Sequence, residues 1–126
     1  MIPGRGSVVV VGLDPAVGHE QRGVRPCVVV SDPEVVSAQR FSLVCVVPVT
    51  GTAGEGLLSP PLALGQSGLT KESFALIDHL RSIDKRRIRR VSGKLTRGEM
   101  AAIDHGLERF LGIGERRPGL DAPPAQ

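Results

Sequence analysis

Aromatic side chains are nearly missing from this 126-residue chain: Phe41, Phe74 and Phe110 are its only rings, with no Tyr and no Trp. The core must therefore be aliphatic, and valine is its main material. The shortage also bears on function, because proteins that read single-stranded nucleic acid often stack bases on aromatic rings. Any such binding here would lean on arginine planes and histidines. Cysteine is scarce too. Cys27 and Cys45 lie inside apolar runs, outside any CxxC pair and with no His at ligand spacing, which argues against a zinc site and predicts two small buried hydrophobes. No apolar run is long enough to span a bilayer, and no signal-peptide pattern is present, so a cytoplasmic location is expected.

What the chain does have is room for one domain with a real core. Formal charge is only +3, so its distribution matters more than its sum. Arg81, Lys85, Arg86, Arg87, Arg89, Arg90, Lys94 and Arg97 crowd one short segment. That segment reads either as a polyanion-binding field or as a solvated strand face.

Strand signals dominate the first two thirds. Short β-branched runs predict strands over 7–13, 25–31 and 41–49, with Pro48 hinting at an edge or a bulge in the third. Asp32-Pro33 predicts a short helix through Ser37. The Gly-rich stretch 50–56 predicts a mobile loop, and Pro60-Pro61 an irregular edge strand within 57–64. A fifth strand is expected over 73–80 and a sixth over 87–95. Thr96-Arg97-Gly98-Glu99 matches a capping box, and Met100, Ile103, Leu107, Phe110 and Leu111 then form one apolar stripe of a helix ended by Gly112. Residues 114–126, rich in Pro, Gly and charge, predict a disordered tail after a domain spanning 1–113. The pattern is mainly β with α (α+β): a small, strongly bent antiparallel sheet or partly open barrel covered by one helix.

Residues 18–26 concentrate the chemistry. Gly18-His19-Glu20-Gln21-Arg22-Gly23-Val24-Arg25-Pro26 sets a His, a carboxylate and two guanidiniums on a short loop at the mouth of the apolar run Cys27-Val28-Val29-Val30. Two guanidiniums so close suggest an anionic target such as phosphate.

Several segments in this order resemble the MazF/PemK toxins of type II toxin–antitoxin systems. They are Arg5-Gly6, the run from Leu13 through Gln21, Val24-Arg25-Pro26, Val47-Pro48-Val49-Thr50, and Leu80-Arg81-Ser82-Ile83-Asp84-Lys85-Arg86-Arg87. The resemblance covers residues 5–112. It implies an SH3-like barrel with helices, shared in architecture with CcdB-like plasmid-maintenance toxins, and a homodimer. It also implies sequence-specific, metal-independent cleavage of single-stranded RNA that inhibits translation and growth, with no cofactor. A cognate antitoxin would block the RNA groove, and DNA would be met only through the antitoxin complex. By position, Arg25 and Thr50 match the family's catalytic pair and Glu20 its loop acid. Ser7 and His79 depart from the usual acid and Gln, the second at a place that bears on base selection.

Metal-free cleavage can use the substrate's 2′-hydroxyl as nucleophile, and then needs a base, an acid and donors for the growing charge. Arg25 suits the last role, since a guanidinium keeps its proton. Thr50 would add a neutral donor. Glu20 either moves protons or holds Arg22 or Arg25 in place, and His19 is a second candidate for proton transfer or a solvated bystander. Arg22, Arg81, Lys85, Arg86 and Arg87 are expected to bind flanking phosphates. His79 either lines the groove or packs, and His105 is expected to be exposed. Two other readings stay open: a non-catalytic gyrase-binding toxin, and a degenerate regulatory module.

Overall fold

The computed structural model describes residues 2–114. The tail expected beyond Gly114 lies outside the described residues. Seven strands form one antiparallel sheet: β1 (Ser7–Gly12), β2 (Val24–Val29), β3 (Leu43–Thr50), β4 (Pro61–Leu62), β5 (Ser73–Ala75), β6 (Arg81–Asp84) and β7 (Ile88–Lys94). Helix α1 (Pro33–Ser37) joins β2 to β3, and α2 (Arg97–Leu111) follows β7. The strand order is β4-β5-β3-β2-β1-β7, with β6 also paired to β3. The sheet curls into the half-barrel that the bent-sheet reading implied.

Valine explains why the sheet can be covered on both faces. Val8, Val28, Val47 and Val49 join Leu62, Ala75, Ile77, Leu95, Ile103 and Leu107 in one core, beneath α2. Their strand neighbours Val9, Val11, Cys27, Val29, Val44 and Val46 join Leu13, Val36 and Ile83 in a second core on the opposite face. Such strands read as continuous apolar runs because neither side meets water. Cys27 is fully buried as expected, whereas Cys45 is only half-buried.

Pro48 marks neither an edge nor a bulge but a change of partner. β3 pairs with β6 over Leu43–Val46, then with β5 at Val49 and Thr50. The Pro48 carbonyl accepts the Leu76 N–H at 2.8 Å. A strand residue's N–H and C=O point to the same side, so the missing donor faces the gap between the two partners, where none is needed.

That gap also explains a correction. The strand expected over 73–80 stops at Ala75, and Ile77–His79 form a 3-10 turn that carries the chain from β5 to β6. β6 itself escaped the sequence reading because only Ile83 of its four residues is buried. The capping box is present in full: Glu99 N–H donates to Thr96 Oγ1 at 3.1 Å, and Thr96 N–H to Glu99 Oε1 at 2.9 Å. Partial burial works against ionisation of Glu99, but hydrogen bonds from Thr96 and Ala63 outweigh it and hold the carboxyl below its usual range. Gly112 ends the helix in the left-handed region at φ 69°. The apolar stripe is shorter than expected, because Phe110 and Leu111 are 42% and 52% exposed.

Candidate active site

The loop between β1 and β2 is closed at its base. Leu13 N–H donates to Gly23 O at 2.8 Å, and Gly23 N–H to Asp14 Oδ1 at 3.2 Å. Gly23 has φ 73°, a conformation that an L side chain would strain. Within the loop, Glu20 Oε1 accepts the Val17 N–H at 2.6 Å while Val17 O accepts the Glu20 N–H at 3.2 Å. Glu20 thus closes its own turn and holds neither Arg22 nor Arg25. Arg22 Nη2 donates to Gly18 O at 3.0 Å.

Arg25 is exposed on β2 and sits opposite Val11 of β1. Its Nε donates to Arg22 O at 3.0 Å, which aims the guanidinium without neutralising it. Among the described residues no carboxylate pairs with it. On its other side β2 meets β3 in the register Cys27 to Pro48. That pair is the last rung of the β2–β3 ladder, and Arg25 and Thr50 each lie two residues past it on their own strands. Thr50 Oγ1 accepts the Thr52 N–H at 3.2 Å, so the hydroxyl proton stays available to a ligand.

A cleft of about 290 Å³ is lined by His19, Glu20, Gln21, Pro48, Asp78, His79, Leu80 and Arg81. Arg25 and Thr50 are not part of that lining, of which Pro48 is the nearest member along β3. The fold therefore brings His19 and Glu20 together with Arg81. His79 lines this cleft from the 3-10 turn, its Nε2 3.9 Å from Asp78 Oδ1 and its side chain 22% exposed.

The expected phosphate binders downstream are differently placed. Lys85 Nζ donates to Val35 O at 2.6 Å and Ala38 O at 3.0 Å, satisfying carbonyls at the end of α1. Arg86 forms a bidentate pair with Asp84, at 3.0 Å from Nε to Oδ1 and 3.0 Å from Nη2 to Oδ2. Those side-chain bonds from Arg86 hold the Asp84 carboxyl down at about 2. Arg81 Nη1 reaches Leu13 O at 3.0 Å, and Arg87 Nη1 reaches Gly12 O at 3.3 Å and Asp14 O at 2.5 Å. Burial pushes the Cys27 thiol up to about 12, with the Arg81 charge opposing, so this buried sulfur is inert at neutral pH.

Sequence reasoning missed Lys71. A Cβ at Gly51 would meet Lys71 Cε at 2.6 Å and Nζ at 2.8 Å, so this ammonium lies against the residue after Thr50. Nothing in the linear pattern links the two; the β3–β5 pairing, with Thr50 opposite Phe74, brings their segments together. It also passed over Asp78, which lines the cleft from outside every quoted motif.

A family model described as PemK-like, MazF-like toxin of type II toxin-antitoxin system matches residues 4–111. The chain belongs to this toxin family. Solved structures agree with that assignment. MazF from Deinococcus radiodurans is 28% identical, with TM-score 0.74 over 90% of this chain and 99% of that one. A MazE–MazF complex from the same organism matches at 28% identity and TM-score 0.72, over 90% and 99% of the two chains. A mycobacterial endoribonuclease in complex with its cognate antitoxin is 21% identical, with TM-score 0.72 and the same coverage, and shares the fold. In this PemK/MazF toxin, Arg5 and Gly6 of the opening motif are structural. Arg5 holds Val30 O at 3.0 Å and Asp104 at 2.6 Å, while Gly6 bridges β2 and the strand end at Leu95.

Proposed function

We propose that this toxin is a sequence-specific, metal-independent endoribonuclease that cleaves single-stranded RNA by attack of the substrate's own 2′-hydroxyl. The observation carrying the reading is the exposed guanidinium of Arg25, paired with no carboxylate among the described residues, on the strand that follows the loop bringing His19 and Glu20 to a cleft lined by two carboxylates and two imidazoles. Cleavage through the 2′-oxygen builds negative charge on a phosphorane, and preorganised donors at that charge are worth most where water is thin. Arg25 supplies a permanent positive fork for two phosphoryl oxygens, and Thr50 a neutral donor to the same group.

Glu20 and His19 are the proton-transfer candidates, because both line the cleft and a carboxylate and an imidazole are the side chains that most often serve as general acid and base. Arg22 serves as a phosphate contact at the mouth of the loop. A cognate antitoxin would act by covering this groove; MazF from Deinococcus radiodurans has been solved together with MazE. The working unit is a homodimer, and exposed Phe110, Leu111 and Ile113 at the end of α2 give it apolar surface to bury.

The test is direct. Purified protein incubated with a panel of synthetic RNAs and EDTA should yield fragments ending in a 2′,3′-cyclic phosphate. Gyrase inhibition without any RNA cleavage would instead assign the chain to the gyrase-binding class.

A further inference from the structure

We propose that Arg81 and Arg87 are positioning residues that clamp the root of the cleft loop, a role distinct from phosphate binding. The inference rests on the ribonuclease reading for its catalytic consequence, though its geometry stands apart from it. The β1 ladder to β2 ends with Gly12 opposite Val24, and its ladder to β7 ends with Val11 opposite Ile88. Gly12 ends the strand, and Leu13 and Asp14 lie beyond those pairs. Arg81 and Arg87 supply donors to their carbonyls: Leu13 O at 3.0 Å from one, Gly12 O at 3.3 Å and Asp14 O at 2.5 Å from the other. Charge-assisted hydrogen bonds of this kind are stronger than neutral ones and hold a defined direction.

The clamp matters because of what each end carries. Arg81 begins β6 and pairs with Val46 of β3, the strand that ends in Thr50. The carbonyl it grips, that of Leu13, begins the loop that carries His19, Glu20 and Gln21 and closes back at Gly23. Two separate parts of the site, the loop acid and the β3 hydroxyl, are thereby referenced to one another across the sheet. Arg87 adds a second fixed point from the turn after β6. Loosening either point lets the cleft residues drift while leaving Arg25 on its strand, and a misplacement of about 1 Å costs up to about a hundredfold in rate.

Arg81→Met and Arg87→Met keep an unbranched apolar stem and remove the donors. In RNA-free protein, amide hydrogen exchange at Val17, Glu20 and Gly23 should rise by about tenfold while Val28 and Val47 stay protected. In cleavage assays kcat should fall by about tenfold to a hundredfold, with KM and the salt dependence of RNA binding unchanged. A phosphate contact would behave oppositely. Loss of about 0.7 in the salt slope per residue, with KM raised and kcat and loop exchange unmoved, would overturn the assignment.

Asp14→Ala covers the case in which an arginine variant does not fold. It loosens the same root from the loop side, by releasing the Gly23 N–H, and removes no cation. It should raise exchange at Glu20 and Gly23 and lower kcat; unchanged exchange would count against the clamp. If the parent protein cuts no RNA, the ribonuclease reading fails, while the exchange data still decide whether the loop is held as described.

Discussion

Two sets of cations in this molecule look alike in sequence and behave differently in space. Arg81, Lys85, Arg86 and Arg87 form the densest basic run, yet each is engaged within the fold, on carbonyls or on Asp84. Arg25 stands nearly alone, exposed, oriented by one backbone carbonyl and unmatched by any carboxylate among the described residues. Charge density along a chain measures how many cations are present. Their availability to a ligand depends on which carbonyls and carboxylates the fold leaves without partners nearby. Arg89 and Arg90, exposed on β7 just beyond the engaged run, are better placed to meet a polyanion than Lys85.

The contrast breaks most sharply at Arg25. Arg25→Ala should lower kcat for RNA cleavage by about a hundredfold to a thousandfold, the scale of removing one oxyanion donor, with thermal unfolding scarcely moved. A variant cutting as fast as the parent would remove Arg25 from the site. Lys85→Met should show the reverse pattern. Stability should drop by about 1–3 kcal/mol in urea unfolding, from the loss of two charge-assisted bonds at the end of α1, while cleavage at 25 °C stays within about twofold. A lost salt slope with full stability would return Lys85 to the phosphate-binding set.

Arg5→Met is a smaller test of the same contrast. Its bond to Asp104 is part-exposed, so a loss of about 0.5–1 kcal/mol is expected by denaturant titration, again with cleavage retained. The smallest effect belongs to Asp84. Its folded carboxyl is depressed to about 2, so what the Asp84–Arg86 pair adds is present above the ordinary carboxylate range and is lost as pH falls toward about 2. Carboxyl NMR should find that midpoint, and Asp84→Asn should differ from the parent only above it. A midpoint near 4 would mean that Arg86 is not held by Asp84.

Much of the architecture was legible in the residues. The capping box at Thr96 and Glu99, the Asp32-Pro33 helix start and the valine runs each carry a local signal, and local signals survive folding. β6 and the 3-10 turn at Ile77 were not legible, because they follow from Pro48 making β3 change partners, a property of the sheet. The site was legible in part. The loop from His19 to Arg25 announces itself by charge and glycine, and Thr50 entered only through family likeness. The engagement of Lys85 with α1 was invisible, because the carbonyls it meets lie about fifty residues away in sequence. His79 could be read as either packing or groove-lining, and the turn that sets it on the cleft was not legible.

The uniform valine strands have one more consequence. Where Val8, Val9, Val10 and Val11 succeed one another, sliding by a single residue exchanges one branched side chain for an identical one, so oil-versus-water patterning penalises the wrong alignment weakly. The alignment has to be set at the ends of the rungs instead, by the ties of Gly6 to Val29 and of Leu13 to Gly23. A shortened or lengthened hairpin would leave the barrel as oily as before and turn Arg25 toward the wrong side.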